Sequence, residues 1–155
     1  MATHKFIVLS LCTFGIYELY WCYQNWKRLK DASGEELSPF WRAFCAPLWC
    51  RALFNGIRAT ATSADIPANW SSGALGALYF ILHMAWRLPD PWWLISLSTF
   101  MPMIPVQQAA QRVNERYATA ETERPNNTYS PLNIVVIIVG GLCLILSIIG
   151  TLIPA

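Results

Sequence analysis

One carboxylate in the sequence lies inside a strongly apolar run. Glu18 falls within residues 6–23, among aromatic and aliphatic side chains. An ionisable group inside a bilayer is expensive unless it is paired or hydrogen-bonded, so it is a functional candidate by default. Two interpretations stay open. Glu18 belongs to a proton path, or it has a structural role, in which it either reaches the interface or forms an ion pair with Arg42 or Arg51.

His83 and Arg87 form the second polar candidate. They lie four residues apart, which places them on one face of a helix. Arg87 sits at a proline-rich turn, where it can reach an interface. His83 is predicted to donate a hydrogen bond to Ser96 or Thr99 on a neighbouring helix. The alternative is a proton relay that His83 shares with Glu18.

The sequence offers little for other chemistry. It has two histidines and five dispersed cysteines, and it carries none of the common nucleophile, nucleotide or metalloprotease motifs. Membrane-embedded enzymes need several polar groups on one face, so the chain is predicted not to be an enzyme. No cofactor or metal is expected. A net charge of +2 is too small for nucleic-acid binding.

The elements that carry these residues are hydrophobic helices. Of 155 residues, 55% are hydrophobic and 13% charged, against about 25% charged in soluble domains. The sequence therefore predicts an all-α polytopic membrane protein with a single membrane domain. Its four expected spans cover about residues 6–23, 73–88, 92–108 and 132–153, the last being the clearest.

A fifth apolar stretch, residues 39–55, does not suit a span. It contains Arg42, Pro47 and Arg51 among many aromatic side chains. Arginine at the bilayer centre costs about 2.5 kcal/mol or more. Helices rich in arginine and tryptophan lie in the interface instead. The stretch is predicted to be a kinked interfacial or re-entrant helix that begins at Pro39 and stops at Asn55-Gly56.

Charge asymmetry supports this arrangement. With four spans, nine basic residues fall on one side, and only Lys5 and Arg87 fall on the other. Basic residues concentrate in cytoplasmic segments, so this side is predicted to be cytoplasmic. Both chain termini are then expected on the non-cytoplasmic side of a bacterial inner membrane. Exposed basic residues next to the interfacial helix could bind anionic lipid headgroups: Lys27, Arg28, Lys30 and Arg58.

The cytoplasmic segment 107–131 begins as a helix. An apolar stripe recurs at helical spacing in its first half: Val106, Ala109, Ala110, Val113 and Tyr117. The segment is predicted to be an amphipathic extension of the third span, followed by a loop. Two roles stay open for the stripe: packing on the interfacial helix of the same chain, or docking of a partner.

The first apolar run carries a recognisable pattern. Thr13, Gly15, Ile16, Tyr17, Tyr20 and Trp21 form T-x-G-I-Y-x-x-Y-W. This pattern resembles a family of small bacterial inner-membrane proteins of unknown function. The resemblance implies a polytopic membrane fold. It implies no activity, cofactor or catalytic residue.

The last apolar run carries a seam of small side chains: Gly140, Cys143, Ser147 and Gly150. Their spacing of three, four and three residues keeps them on one helix face. Small residues let helix backbones approach closely, which favours helix association in lipid. The seam is predicted to pack either on other helices of this chain or on another protein.

Together these features predict a non-catalytic membrane protein that acts through helix–helix assembly. It would form a homo-oligomer or serve as an accessory subunit of a larger membrane complex, with membrane lipids as its other partners. The alternative is an oligomeric channel or transporter for ions or protons, in which Glu18 and His83 carry the transported charge.

Overall fold

The computed structural model describes residues 2–117 and 129–152, and within them every regular element is helical. Three short 3₁₀ segments connect the middle of the fold: Ala85–Arg87, Trp92–Ser98 and Met101–Met103. The α-helices, in chain order, are α1 (Thr3–Cys12), α2 (Ile16–Ser33), α3 (Pro39–Phe44), α4 (Ala46–Ser63), α5 (Ser72–Met84), α6 (Ile104–Tyr117) and α7 (Pro131–Leu152).

The predicted first span is not one helix. Phe14 and Gly15 have φ angles of 52° and 86°, and two consecutive left-handed residues end a right-handed helix. The chain turns a corner here, so that the ring of Phe6 in α1 lies 5.7 Å from that of Trp21 in α2. In one continuous helix these two residues would be about 22 Å apart. The prediction of a single helix over residues 6–23 was therefore wrong.

The interfacial stretch starts where the sequence indicated but runs further. α3 begins at Pro39, and Cys45 separates it from α4, which has Pro47 in its first turn. α4 continues past the predicted stop at Asn55-Gly56 to Ser63. A β-carbon on Gly56 would lie 2.7 Å from Leu29 Cδ1 of α2. The glycine thus serves close packing of α2 on α4 rather than ending the helix.

The second and third predicted spans form shorter elements. α5 covers Ser72–Met84, so it begins one residue before the predicted span of 73–88 and ends four residues before its end. Ser71 caps it by accepting a hydrogen bond of 3.2 Å from the Ala74 amide. The predicted span at 92–108 is instead two 3₁₀ segments followed by the start of α6. Pro102 and Pro105 lack the amide hydrogens that a continuous α-helix needs there, and Pro105 stands in the first turn of α6.

A mixed aromatic and aliphatic core joins α1, α2, α4, α5 and α6. Fully burying one such side chain contributes about 1.5–3 kcal/mol. Trp21 also donates a buried hydrogen bond to Gln107, which fixes α2 against α6. The predicted stripe of α6 packs against α4 through Val106, Ala109 and Ala110, while Tyr117 stays exposed. The core side chains include Phe6, Trp21, Trp26, Leu53, Phe54, Tyr79, Met103 and Val106.

α7 matches the predicted last span. Among the described residues, Pro131–Thr151 is the one helix long and apolar enough to cross a bilayer, and none of its most apolar stretch is buried in the fold. The rest of segment 107–131, after Tyr117 and before Tyr129, lies outside the described residues. Ile153, the last residue of the predicted span, also lies outside them.

α1 and α7 run side by side in the same direction. At one end the ring of His4 lies 6.4 Å from that of Tyr129, and Lys5 Nζ lies 5.7 Å from the same ring. Further along, Cys12 contacts Gly140. If α7 crosses a bilayer, residue 4 is on the same side as residue 129, and Thr151 is on the other. The expectation that both termini share a side conflicts with this packing, because it treated residues 6–23 as a full crossing.

Candidate functional site

A buried carboxylate lies near the corner between α1 and α2. The Glu18 side chain is 2% exposed and sits in the first turn of α2. Thr99 Oγ1 donates a hydrogen bond of 2.8 Å to Glu18 Oε1. The Tyr79 hydroxyl donates a second one from α5. Charge-assisted hydrogen bonds of this kind offset the cost of burying a carboxylate.

The T-x-G-I-Y-x-x-Y-W pattern builds this corner. Thr13 Oγ1 accepts a hydrogen bond of 2.9 Å from the Tyr17 amide, which satisfies one unpaired donor at the start of α2. Gly15 supplies the left-handed turn, and its β-carbon position lies 3.8 Å from Thr99 Oγ1. The pattern therefore orients Glu18 towards Thr99. Its structural role was not evident from the sequence, where it resembled part of a span.

His83 occupies a different place from the one predicted. Its ring stacks on that of Tyr79, with centroids 5.9 Å apart and planes 27° apart. The predicted hydrogen bond to Ser96 or Thr99 is not seen: Thr99 donates to Glu18, and Ser96 donates to the Trp93 carbonyl at 2.7 Å. Tyr79 thus contacts both Glu18 and His83 and links the two candidates.

The predicted arginine partners of Glu18 are engaged elsewhere. The Arg42 guanidinium lies 4.7 Å from the ring centroids of both Trp26 and Trp49. Arg51 packs its backbone against Gly76 of α5. The predicted ion pair was wrong, because the Glu18 carboxylate accepts hydrogen bonds from two hydroxyl groups instead of pairing with either arginine. Arg87 is exposed at its turn, as predicted, and lies 5.6 Å from the Trp86 ring.

Two thiols belong to the same interior. Cys22 and Cys50 are buried, and Cys50 Sγ lies 3.6 Å from the Gly76 carbonyl oxygen. All five cysteines are free thiols. No group of three His, Cys, Asp or Glu side chains suited to a metal ion occurs in the described part of the chain. Within the described residues the site is a carboxyl group hydrogen-bonded to two hydroxyl groups, with the His83 ring stacked on the ring of Tyr79.

Sequence reasoning missed Tyr79 and assigned Thr99 to His83 rather than to Glu18. Tyr79 precedes His83 by four residues and so shares its helix face, which was an available signal. The contact of Thr99 with Glu18 carried no signal, since the position of Thr99 depends on the irregular 3₁₀ path from Trp92 to Met103.

The small-residue seam of α7 is divided between covered and uncovered parts. A β-carbon on Gly140 would lie 1.9 Å from the Cys12 carbonyl oxygen, so this glycine is where α7 meets α1. Gly150 has nothing within 4 Å of its β-carbon position, and Cys143 is exposed. Ser147 Oγ donates to the Cys143 carbonyl oxygen at 2.9 Å. Of the four seam residues, Gly140 thus packs within the chain, at the contact of α7 with α1.

The predicted lipid-binding cations lie on the surface. Lys27, Arg28 and Lys30 are exposed in the second half of α2, and Arg58 is exposed on α4. Arg28 borders a largely apolar groove of about 550 Å³ between α2, α4 and α6. These four residues do not form one cluster, since Arg58 lines a separate cavity between α4 and α5.

Comparison with known proteins gives a family but no function. A family model described as "Domain of unknown function (DUF4234)" matches residues 2–87, more than half of the chain. The chain belongs to this family. A search of curated proteins and a search of solved structures each found no significant match. The matched region contains the α1–α2 corner, Glu18, Tyr79 and His83.

Proposed function

We propose that this member of the DUF4234 family is a non-catalytic, multi-pass protein of the bacterial inner membrane that acts through helix–helix assembly. α7 crosses the bilayer, and residues 2–117 are embedded beside it through short helices and the α1–α2 corner. The assembling surface is the uncovered part of the α7 seam, at Cys143, Ser147 and Gly150. A second copy of the chain is its partner.

The exposed apolar surface supports a membrane location. Water-soluble monomers rarely expose apolar patches of more than a few hundred Å². Here large hydrophobic side chains are exposed on α3, α4, α5, α7 and the 3₁₀ segments. On α3 the exposed rings of Phe40, Trp41 and Phe44 form a contiguous cluster, with centroids 5.5–6.4 Å apart. Aromatic clusters of this kind are typical of the membrane interface.

Charge asymmetry supports an orientation. If the chain enters the membrane through α1 and leaves it through α2 on the same side, residue 5 lies on the predicted cytoplasmic side. Of the eleven lysines and arginines, only Arg87 then remains on the opposite side. This is a stronger bias than four full crossings give. The amino-terminal end of α1 is therefore cytoplasmic in this proposal, and the carboxyl-terminal end of α7 is not.

The observation that carries the assembly proposal is the partial coverage of the α7 seam. α1 contacts α7 at Gly140. At the positions one and three turns further along, Cys143 is exposed, and none of the described residues comes within 4 Å of the β-carbon position of Gly150. Helix association in lipid depends on such close approach, because the hydrophobic effect gives no preference for protein over lipid tails. Both edges of the seam are rich in Ile and Leu, which suits a helix–helix interface.

Cys143 gives a direct test of the proposal. If two copies pack symmetrically through the uncovered seam, their Cys143 thiols face each other, and mild oxidation of native membranes yields a covalent dimer. Cys143→Ser should abolish this dimer. Cys45→Ser, which replaces a partly exposed thiol on another face, should not. A dimer that persists in Cys143→Ser, or its absence in the unmodified chain, would contradict the proposal.

A second function, proton translocation, is favoured by one contact. Tyr79 hydrogen-bonds Glu18 through its hydroxyl and stacks its ring on His83, so it brings the two titratable groups of the predicted path to one place. Replacing Glu18 by Gln and His83 by Ala should then abolish proton flux into vesicles while leaving the Cys143 dimer intact. Flux that is unchanged in the double variant, or absent in the unmodified chain, excludes this function.

A further inference from the structure

We propose that the cavity between α4 and the start of α5 binds a phosphate group. The cavity has a volume of about 420 Å³ and is lined by Arg51, Arg58, Ser71, Ser72 and Gly73. The proposed function does not assign this site a role. It depends on that function only for the source of the phosphate, which would be the headgroup of an anionic phospholipid.

Two arginines supply the positive charge. Arg51 and Arg58 are seven residues apart on α4, which places them on one face of the helix about two turns apart. Arg51 Nε lies 4.0 Å from the β-carbon position of Gly73, so its guanidinium lies beside the first turn of α5. Guanidinium groups suit phosphate because they can donate two parallel hydrogen bonds to its oxygens.

A glycine on α5 makes this placement possible. A β-carbon on Gly76 would lie 2.9 Å from Arg51 Cβ and 3.1 Å from Arg51 Cα. Any other residue would separate α4 from α5. The close approach therefore fixes the base of the Arg51 side chain against the amino-terminal half of α5.

The start of α5 supplies further donors. The first amides of a helix have no carbonyl four residues earlier to bond. Ser71 Oγ accepts from the Ala74 amide, which leaves those of Ser72 and Gly73 at the mouth of the cavity. A helix amino terminus also carries partial positive charge, and phosphates bind there in many proteins.

An unpartnered hydroxyl is an independent indication of a ligand. Ser72 lines the cavity and is 6% exposed, yet its Oγ forms no hydrogen bond with any described residue. A buried hydroxyl left unpaired destabilises a protein. A phosphate oxygen in the cavity would accept its hydrogen bond. The unpaired hydroxyl of Ser72 therefore indicates a binding site, which exposed arginines alone would not.

The test measures thermal stabilisation of the detergent-purified chain by added anions. Short-chain phosphatidylglycerol, short-chain phosphatidylcholine and inorganic phosphate are titrated separately. We expect saturable stabilisation by phosphatidylglycerol, and at least a tenfold weaker apparent affinity in the double variant Arg51→Gln, Arg58→Gln. Arg112→Gln removes an exposed arginine of α6 and serves as the matched control, with unchanged affinity.

Ser72→Ala separates binding from folding. Because Ser72 Oγ has no hydrogen-bond partner in the described part of the chain, its removal should leave the unliganded melting temperature unchanged or raised, while affinity for the phosphate falls several-fold. Equal stabilisation by the two lipids, together with none by inorganic phosphate, would overturn the proposal. Affinities that the double variant and Ser72→Ala leave unchanged would also overturn it.

Inorganic phosphate distinguishes the two sources of the phosphate group. If it binds saturably, if the same variants weaken this binding, and if the anionic lipid is not preferred, the site is supported and its ligand is a water-soluble phosphate compound. The Cys143 dimer is measured independently, so failure of one proposal does not decide the other.

Discussion

The ring of His4 lies 6.4 Å from the ring of Tyr129, which places the start of α1 beside the start of α7. Eight residues later in α1, Cys12 meets Gly140 of α7. The two helices therefore run in parallel, and the chain turns back at Phe14 and Gly15 before α2 begins. The first apolar run therefore lies beside α7, the one described helix that is both long and apolar enough to cross a bilayer.

Labelling of engineered cysteines tests the resulting topology. His4 and Lys27 are both exposed, on either side of the α1–α2 corner. With membranes intact, a membrane-impermeant maleimide should modify His4→Cys and Lys27→Cys from the same, cytoplasmic side, as read from the masses of labelled peptides. Native Cys143, exposed on the single chain but inside the bilayer at the proposed interface between two copies, should resist labelling until detergent is added. Labelling of residues 4 and 27 from opposite sides would show that residues 6–23 cross the bilayer.

The contact between α1 and α7 depends on Gly140. In Gly140→Ala, the new methyl group would lie 1.9 Å from the Cys12 carbonyl oxygen, so the two helices must move apart. We expect a loss of about 1–3 kcal/mol in the free energy of unfolding, the range of overpacked sites. Gly141→Ala is the matched control, since the β-carbon position of Gly141 lies outside the seam and 3.8 Å from Cys12 Sγ, an ordinary van der Waals distance. Equal melting temperatures for the two variants in detergent would refute this packing.

The hydrogen bonds to Glu18 should contribute measurably to stability. Thr99→Val keeps the shape of the side chain but removes the hydroxyl that donates to the buried carboxylate. Hydrogen bonds to charged groups contribute about 1.5–3 kcal/mol, and the variant should lose stability in that range. Thr62→Val serves as the control, because Thr62 is exposed and donates to its own helix. If chemical unfolding gives the same free energy for Thr99→Val and the control, Glu18 is not held by Thr99.

The sequence predicted the type of fold and several helix boundaries. Pro39 marks a helix start, and the uncharged run after Pro131 forms a helix of 22 residues. These features are local, arising from proline geometry and from uninterrupted apolar composition. The predicted stripe of α6 also packs as its spacing indicated, through Val106, Ala109 and Ala110.

The sequence could not predict how these elements meet. Hydropathy does not distinguish a span from a corner, and only the φ angles of Phe14 and Gly15 reveal that residues 6–23 fold back. Gly56 was interpreted as a helix end, although it is needed for contact with Leu29 of α2. The partners of Glu18 lie 61 and 81 residues away, at Tyr79 and Thr99, and depend on the whole bundle.

Native mass spectrometry of the chain, extracted gently from its own membrane, tests the central proposal of assembly through α7 most directly. The account predicts a mass at a fixed multiple of 17.5 kDa. Ser147→Leu places a large side chain in the uncovered seam and should lower the observed mass to that of a single chain. Ile138→Leu, on another face of α7, should leave the mass unchanged. A single chain of 17.5 kDa at every concentration, with no co-purifying subunit, would contradict the account.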